Sequence, residues 1–172
     1  IAERRKTVLS NWDQFKQSAK DRRTVLENAQ VLQMYLRSAD ELEEWILEKI
    51  EIANDESWRK DLSTTFQSKL KFHKDFEDDI AAQVSTVEKV GNDADVLLDL
   101  KQYTVDQEGI IEAKKKGILA TWTLLKERAA VKKQKLIEGS TLSDFQRDAE
   151  EVLSWISKQA ELASASDVGA DF

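Results

Sequence analysis

The chain has 172 residues, 41% hydrophobic and 34% charged, with a formal net charge of −7. It has no proline, no cysteine and five glycines, which excludes a turn-rich β sandwich or barrel, a disulfide framework and a thiolate metal site. The acidic balance argues against nucleic acid as a partner, and no signal peptide or 18-residue apolar run is visible.

Residues 1–27 carry one stripe in alternating steps of three and four: Ile1, Arg5, Val8, Trp12, Phe15, Ala19, Arg22, Leu26. That spacing predicts an amphipathic helix in which the arginines pack by their stems. Nothing breaks the chain at 26–30, and the stripe resumes as Leu32, Tyr35, Ala39, Leu42, Ile46, Lys49, Ala53. One helix from about residue 2 to 53 is expected, roughly 75 Å long. No domain this small buries such a helix throughout, so its halves must serve different bundles. Residues 54–61 read as a loop, with Asp61 or Ser63 capping the next helix. That second helix carries Leu62, Phe66, Lys69, His73, Phe76, Ile80, Gln83, Val87, Val90, Ala94 and Leu97, in phase through Gly91. After a turn over 99–103, Thr104-Val105-Asp106-Gln107 has the form of a capping box. The third helix carries Ile111, Lys115, Ile118, Trp122, Leu125, Ala129, Lys132 and Leu136. Gly139-Ser140 is expected to bend or fray, with Thr141-x-x-Asp144 capping a fresh helix that bears Leu142, Phe145, Ala149, Val152, Ile156 and Ala163. Val168 to Phe172 would open another helix, and the pattern suggests a segment of something longer.

The stripes repeat at an offset of 110 residues. Trp12 falls on Trp122, Ala19 on Ala129, Leu26 on Leu136 and Trp45 on Trp155, and 1–62 laid on 111–172 gives 16 identities. Such a period means that one unit is being stacked. Charge sorts the same segments: 1–27 is +3, 28–61 is −5, 62–100 is −4, 101–136 is +5 and 137–172 is −6. Two acidic helices and one basic helix make a complementary trio, which favours correct pairing over like with like.

These residues resemble the spectrin repeat. Its first helix carries Arg-Asp-Ala-x-Glu-Leu-x-x-Trp-Ile, matched at Arg37 to Ile46 and at Arg147 to Ile156; its second matches at Lys69, Leu70, His73, Phe76 and Glu77; its third at Trp122, Lys132, Lys133 and Leu136. The resemblance implies an all-α fold, a left-handed three-helix coiled coil with helices shared between units. Residues 1–27 would be the third helix of a preceding partial repeat, 28–137 a complete repeat, and 138–172 the first helix of the next. The expected bundle core is Tyr35, Leu42, Trp45, Ile46, Phe66, His73, Phe76, Ile80, Val87, Ile118, Trp122 and Leu125. Within the family, Ile1-x-Glu3-Arg4-Arg5-x-x-Val8-Leu9 is similar to the amino-terminal end of α-spectrin. That placement implies a tetramer contact in which Ile1, Arg4, Arg5, Val8, Leu9, Trp12, Phe15 and Ala19 meet the terminal helices of β-spectrin. The other placement is an internal repeat pair covered by neighbouring repeats. Both imply a cytoplasmic rod at the membrane cortex, linked to actin only through the full-length protein.

Sharper chemistry is weighed residue by residue. His73, the single histidine, has no companion at metal or catalytic spacing and reads as a packed core residue. The carboxylates at 40–44 and 75–79 lack the spaced loop of a calcium site and read as a solvated face. Lys114 to Lys116 and Lys132-Lys133 could dock anionic lipid, but they also suit pairing with acidic helices. No nucleophile, base and orienter converge, so neither an enzyme nor a cofactor is expected. The stripes at both ends lack partners within the chain, which predicts end-to-end association of the isolated molecule.

Overall fold

The computed structural model describes residues 2–61 and 64–164. Helix α1 spans Ala2–Asn54, α2 Phe66–Ala82, α3 Val84–Asp99 and α4 Val105–Ser164, with one 3-10 turn at Ser57–Arg59. The 53 residues of α1 and the 60 of α4 make rods about 80 Å and 90 Å long. Among the described residues there is no strand.

The second half of α1, the α2–α3 arm and the first half of α4 form a three-helix bundle. The α1 and α4 halves run parallel, as shown by Tyr35 Oη donating to the Ile111 carbonyl at 3.5 Å and Lys132 Nζ to the Ile52 carbonyl at 2.6 Å. The α2–α3 arm runs back between them, so that Lys115 meets Asp95 and Lys133 meets Glu77. The core follows three stripes: Leu32, Tyr35, Ala39, Leu42, Ile46, Ile50 and Ala53 on α1; Ile80, Val87, Val90, Ala94 and Leu97 on the arm; and Ile111, Ile118, Trp122, Leu125 and Ala129 on α4. Steps of three and four average 3.5 residues, short of the 3.6 of a straight helix, a mismatch of the kind that favours left-handed winding.

Four local expectations meet a different outcome. The α2 cap is Thr65, whose Oγ1 accepts from Ser68 N at 3.3 Å, and the helix starts at Phe66; Leu62 and Ser63 lie outside the described residues, as do Ile1 and 165–172. The second helix breaks for one residue at Gln83, where Gln83 N bonds the Ile80 carbonyl at 3.0 Å. Gly91 lies inside regular helix, whereas at Gln83 the chain enters Val84-Ser85-Thr86-Val87, a run of β-branched and hydroxyl residues that disfavours helix. Buried His73, Ile80, Val87 and Ala94 stand seven apart, so the stripe crosses the break in phase. On α1 the buried residue after Ile46 is Ile50; Lys49 beside it places its ammonium 5.4 Å from the Trp45 ring and pairs with Asp79 at 3.1 Å.

The fourth difference is at Gly139. Helix α4 runs through it without a break, and Thr141 Oγ1 donates back to the Ile137 carbonyl at 3.1 Å instead of capping a new helix. The glycine serves a close approach: a Cβ there would stand 2.7 Å from Phe66 Cζ and closer still to Cε1. Phe66 in turn packs edge-on against Trp58 at 6.4 Å, so the α1–α2 loop is seated on α4 just past the core. At the opposite end the expected capping box forms, with Thr104 N donating to Gln107 Oε1 at 3.1 Å and Gln107 N to Thr104 Oγ1 at 3.3 Å. There Tyr103 Oη donates to the Asn28 carbonyl at 3.3 Å, tying that turn to α1.

Candidate interaction surfaces

The expected core residues fall into three groups. Tyr35, Leu42, Ile46, His73, Ile80, Val87, Ile118, Trp122 and Leu125 are buried. Trp45 and Phe76 are half-buried against the core, with the Trp45 and Trp122 rings 6.5 Å apart. Phe66 is half-buried outside it, on Gly139. His73 is 5% exposed, its ring 5.7 Å from that of Phe76 and its Nε2 3.9 Å from Glu77 Oε1. Burial pushes the imidazole pKa below its ordinary range, with Glu77 opposing the shift. A neutral ring in the core is therefore favoured. No group of three or more metal-binding side chains exists among the described residues.

The acidic clusters and the lysines meet along the seams of the bundle. Lys114 bridges Asp40 and Glu43 of α1, and those hydrogen bonds raise its pKa. Lys115 takes Asp95 at 2.6 Å, Lys133 takes Glu77 at 2.8 Å, and Lys135 takes Glu56 of the loop. Lys132 is drawn in far enough that burial lowers its pKa. Lys114, Lys115, Lys132 and Lys133 are thus engaged within the bundle, while Lys116 is exposed.

Beyond the bundle both long helices continue without cover. Arg4, Arg5, Val8, Leu9, Trp12, Phe15 and Ala19 are all exposed on α1, with Trp12 stacked on Phe15 at 5.8 Å. Trp12 is 55% exposed where its 110-offset counterpart Trp122 is 7%. Val8, Phe15, Ala19 and Leu26 likewise stand opposite the buried Ile118, Leu125, Ala129 and Leu136. Leu9 differs: its counterpart Leu119 is itself exposed, so Leu9 lies beside the stripe. On α4, Leu142, Phe145, Val152 and Ile156 are exposed where Leu32, Tyr35, Leu42 and Ile46 are buried. Apart from Leu9, the apolar positions named on each exposed stripe thus correspond, at the 110-residue offset, to positions that are buried in the bundle. Contiguous apolar faces of this kind mark interaction surfaces. No described helix is long and apolar enough to cross a membrane.

Comparison with known proteins agrees with this geometry. The sequence model of the family described as "Spectrin repeat" matches residues 30–138. The erythrocytic spectrin beta chain of Mus musculus is 33% identical over 153 residues, covering 89% of this chain and 7% of that protein. The mouse erythrocytic spectrin alpha chain 1 is 26% identical over 176 residues, covering 100% and 7%. The Drosophila melanogaster spectrin beta chain is 26% identical over 171 residues, covering 99% and 7%. Identity is therefore higher to the mouse beta chain than to the mouse alpha chain, although the opening residues lead to the expectation of an α-spectrin likeness. The chain spans only a small part of each relative's length.

Proposed function

Because the chain belongs to the spectrin repeat family, we propose that it is a rod segment whose two overhanging helices are completed by helices from outside the segment. The single observation that carries this is the 110-residue correspondence between exposed overhang stripes and buried bundle stripes. In this reading 28–137 is the complete repeat, 1–27 the third helix of a bundle to its amino-terminal side, and 138–172 the first helix of the next. The work is mechanical: it transmits position and load along helices that run from one bundle into its neighbour. No enzymatic step and no cofactor are assigned. Neighbouring repeats, or the terminal helices of a β-spectrin chain if this is an α amino-terminal end, are the partners of residues 1–27. A cytoplasmic, cortical setting and an indirect tie to actin through the full-length protein are part of the same proposal, supported by the resemblance to spectrins. Anionic lipid on the basic third helix is the weaker reading, because Lys114, Lys115, Lys132 and Lys133 are already engaged by the bundle.

Sedimentation tests the proposal directly. The isolated chain is expected to associate end to end, less so in high salt. Changing Trp12 and Phe15 to serine is expected to abolish association through 1–27 while 28–137 stays folded. A chain that remains monomeric at high concentration with 2–27 fully helical would show that the stripe needs no cover.

A further inference from the structure

Lys114-Lys115 and Lys132-Lys133 form two basic doublets on α4, and each doublet is divided between the helices it faces. The first member reaches α1: Lys114 to Asp40 at 2.6 Å, and Lys132 to the Ile52 carbonyl at 2.6 Å. The second reaches the α2–α3 arm: Lys115 to Asp95 at 2.6 Å, and Lys133 to Glu77 at 2.8 Å. Successive residues on a helix differ by about 100° around the axis, so an adjacent pair flanking the stripe points one cation to each neighbour.

At the 110-residue offset these doublets become Arg4-Arg5 and Arg22-Arg23. They occupy the same intervals of the stripe, between Ile1 and Val8 and between Ala19 and Leu26. Arg4, Arg5 and Arg22 are exposed. Arg23 is turned onto Glu27 at 2.8 Å, a residue whose bundle counterpart is Ile137.

We infer that the two arginine doublets are a specificity code by which residues 2–27 select an acidic helical hairpin. The inference rests on the reading of 2–27 as an uncompleted third helix. Arg4 and Arg22 address the hairpin's first helix. Arg5 and Arg23 address its returning helix, at carboxylates placed as Asp95 and Glu77 are in the bundle. Arginine in place of lysine suits forked carboxylate recognition. Such pairs fix register and reject wrong partners more than they add affinity. The overhang of a second copy can cover the apolar stripe but meets the code only in part: Glu150 stands at the Asp40 position, but Leu153 replaces Glu43 and no returning helix is supplied, so a hairpin is the preferred partner over the end-to-end contact of the isolated chain.

The test joins a second copy of residues 28–110 ahead of Ile1, which continues the offset and supplies the hairpin within the same polypeptide. Amide protection of 2–27 is expected to rise to that of the existing bundle. Arg4→Glu should lower the urea midpoint of the added bundle. Asp40→Lys with Glu43→Lys in the added copy should restore it, and Asp95→Lys should not. Arg5→Glu should be restored by Asp95→Lys and not by the reversals at 40 and 43. If a reversal rescues the arginine change it is not matched to, if the matched reversals rescue nothing, or if neither arginine change matters in a bundle that has formed, the code is wrong and the third-helix reading stands. If residues 2–27 stay unprotected in the tandem chain, both are wrong.

Discussion

His73 shows how one side chain ties stability to pH. Its folded pKa lies below the unfolded value of about 6.5, because burial disfavours the cation. The neutral form therefore stabilises the fold; that contribution is complete above the unfolded pKa and is lost as pH falls towards the folded one. The urea midpoint is expected to drop between pH 7 and 5.5, and His73→Gln to flatten that part of the profile. The tryptophans make a second case. Trp122 is buried and Trp45 half-buried, though their rings are neighbours. Trp122→Ala is expected to cost about 3–5 kcal/mol and Trp45→Ala less, because part of its surface never leaves water. Urea midpoints of the two variants decide the order.

The elements are held by features that periodicity does not carry. Gly139 sits in continuous helix because Phe66 occupies the space of its side chain. An exposed helical glycine changed to alanine gains about 1 kcal/mol. Gly91, with nothing within 4 Å of an added Cβ, should show that gain. Gly139→Ala should not, since displacing Phe66 costs about 1–3 kcal/mol of overpacking. Combining it with Phe66→Ala should give a non-additive pair, measurable by a double-mutant cycle in urea. Equal gains at 91 and 139 would remove the close-approach explanation.

For the whole molecule, the same two helices pass from a packed to an unpacked setting. Residues 32–53 of α1 bury a full stripe, while residues 2–27 bury none. Helical stability comes mostly from tertiary burial, and an uncovered helix of such length is marginal in water. Hydrogen exchange should therefore show a steep gradient along α1 and along α4, with amides near Trp12 and Trp155 opening locally and those near Ile46 and Ile118 only with the bundle. Protection near Trp12 should increase with protein concentration if the overhangs associate. Uniform protection along α1 would mean that the overhang is stable without cover.

The helical class, the three stripes, the 110-residue unit and the charge complementarity were legible in the sequence, because each is a local period or a sum over a segment. So was the capping box at Thr104, which needs only residues three apart. The structure decided what depends on distant neighbours. Whether Gly139 bends or admits a ring is set by Phe66, more than seventy residues earlier in the chain. Whether a lysine at the edge of a stripe binds outward or inward is set by the carboxylates across the seam, and here Lys114 and Lys115 turn to different helices. Trp45 and Phe76 lie on the stripe yet remain half-buried, because three helices leave a seam at the flank that no single-helix pattern displays. Periodicity says which side of a helix is apolar; only the packed bundle says how much of that side is covered.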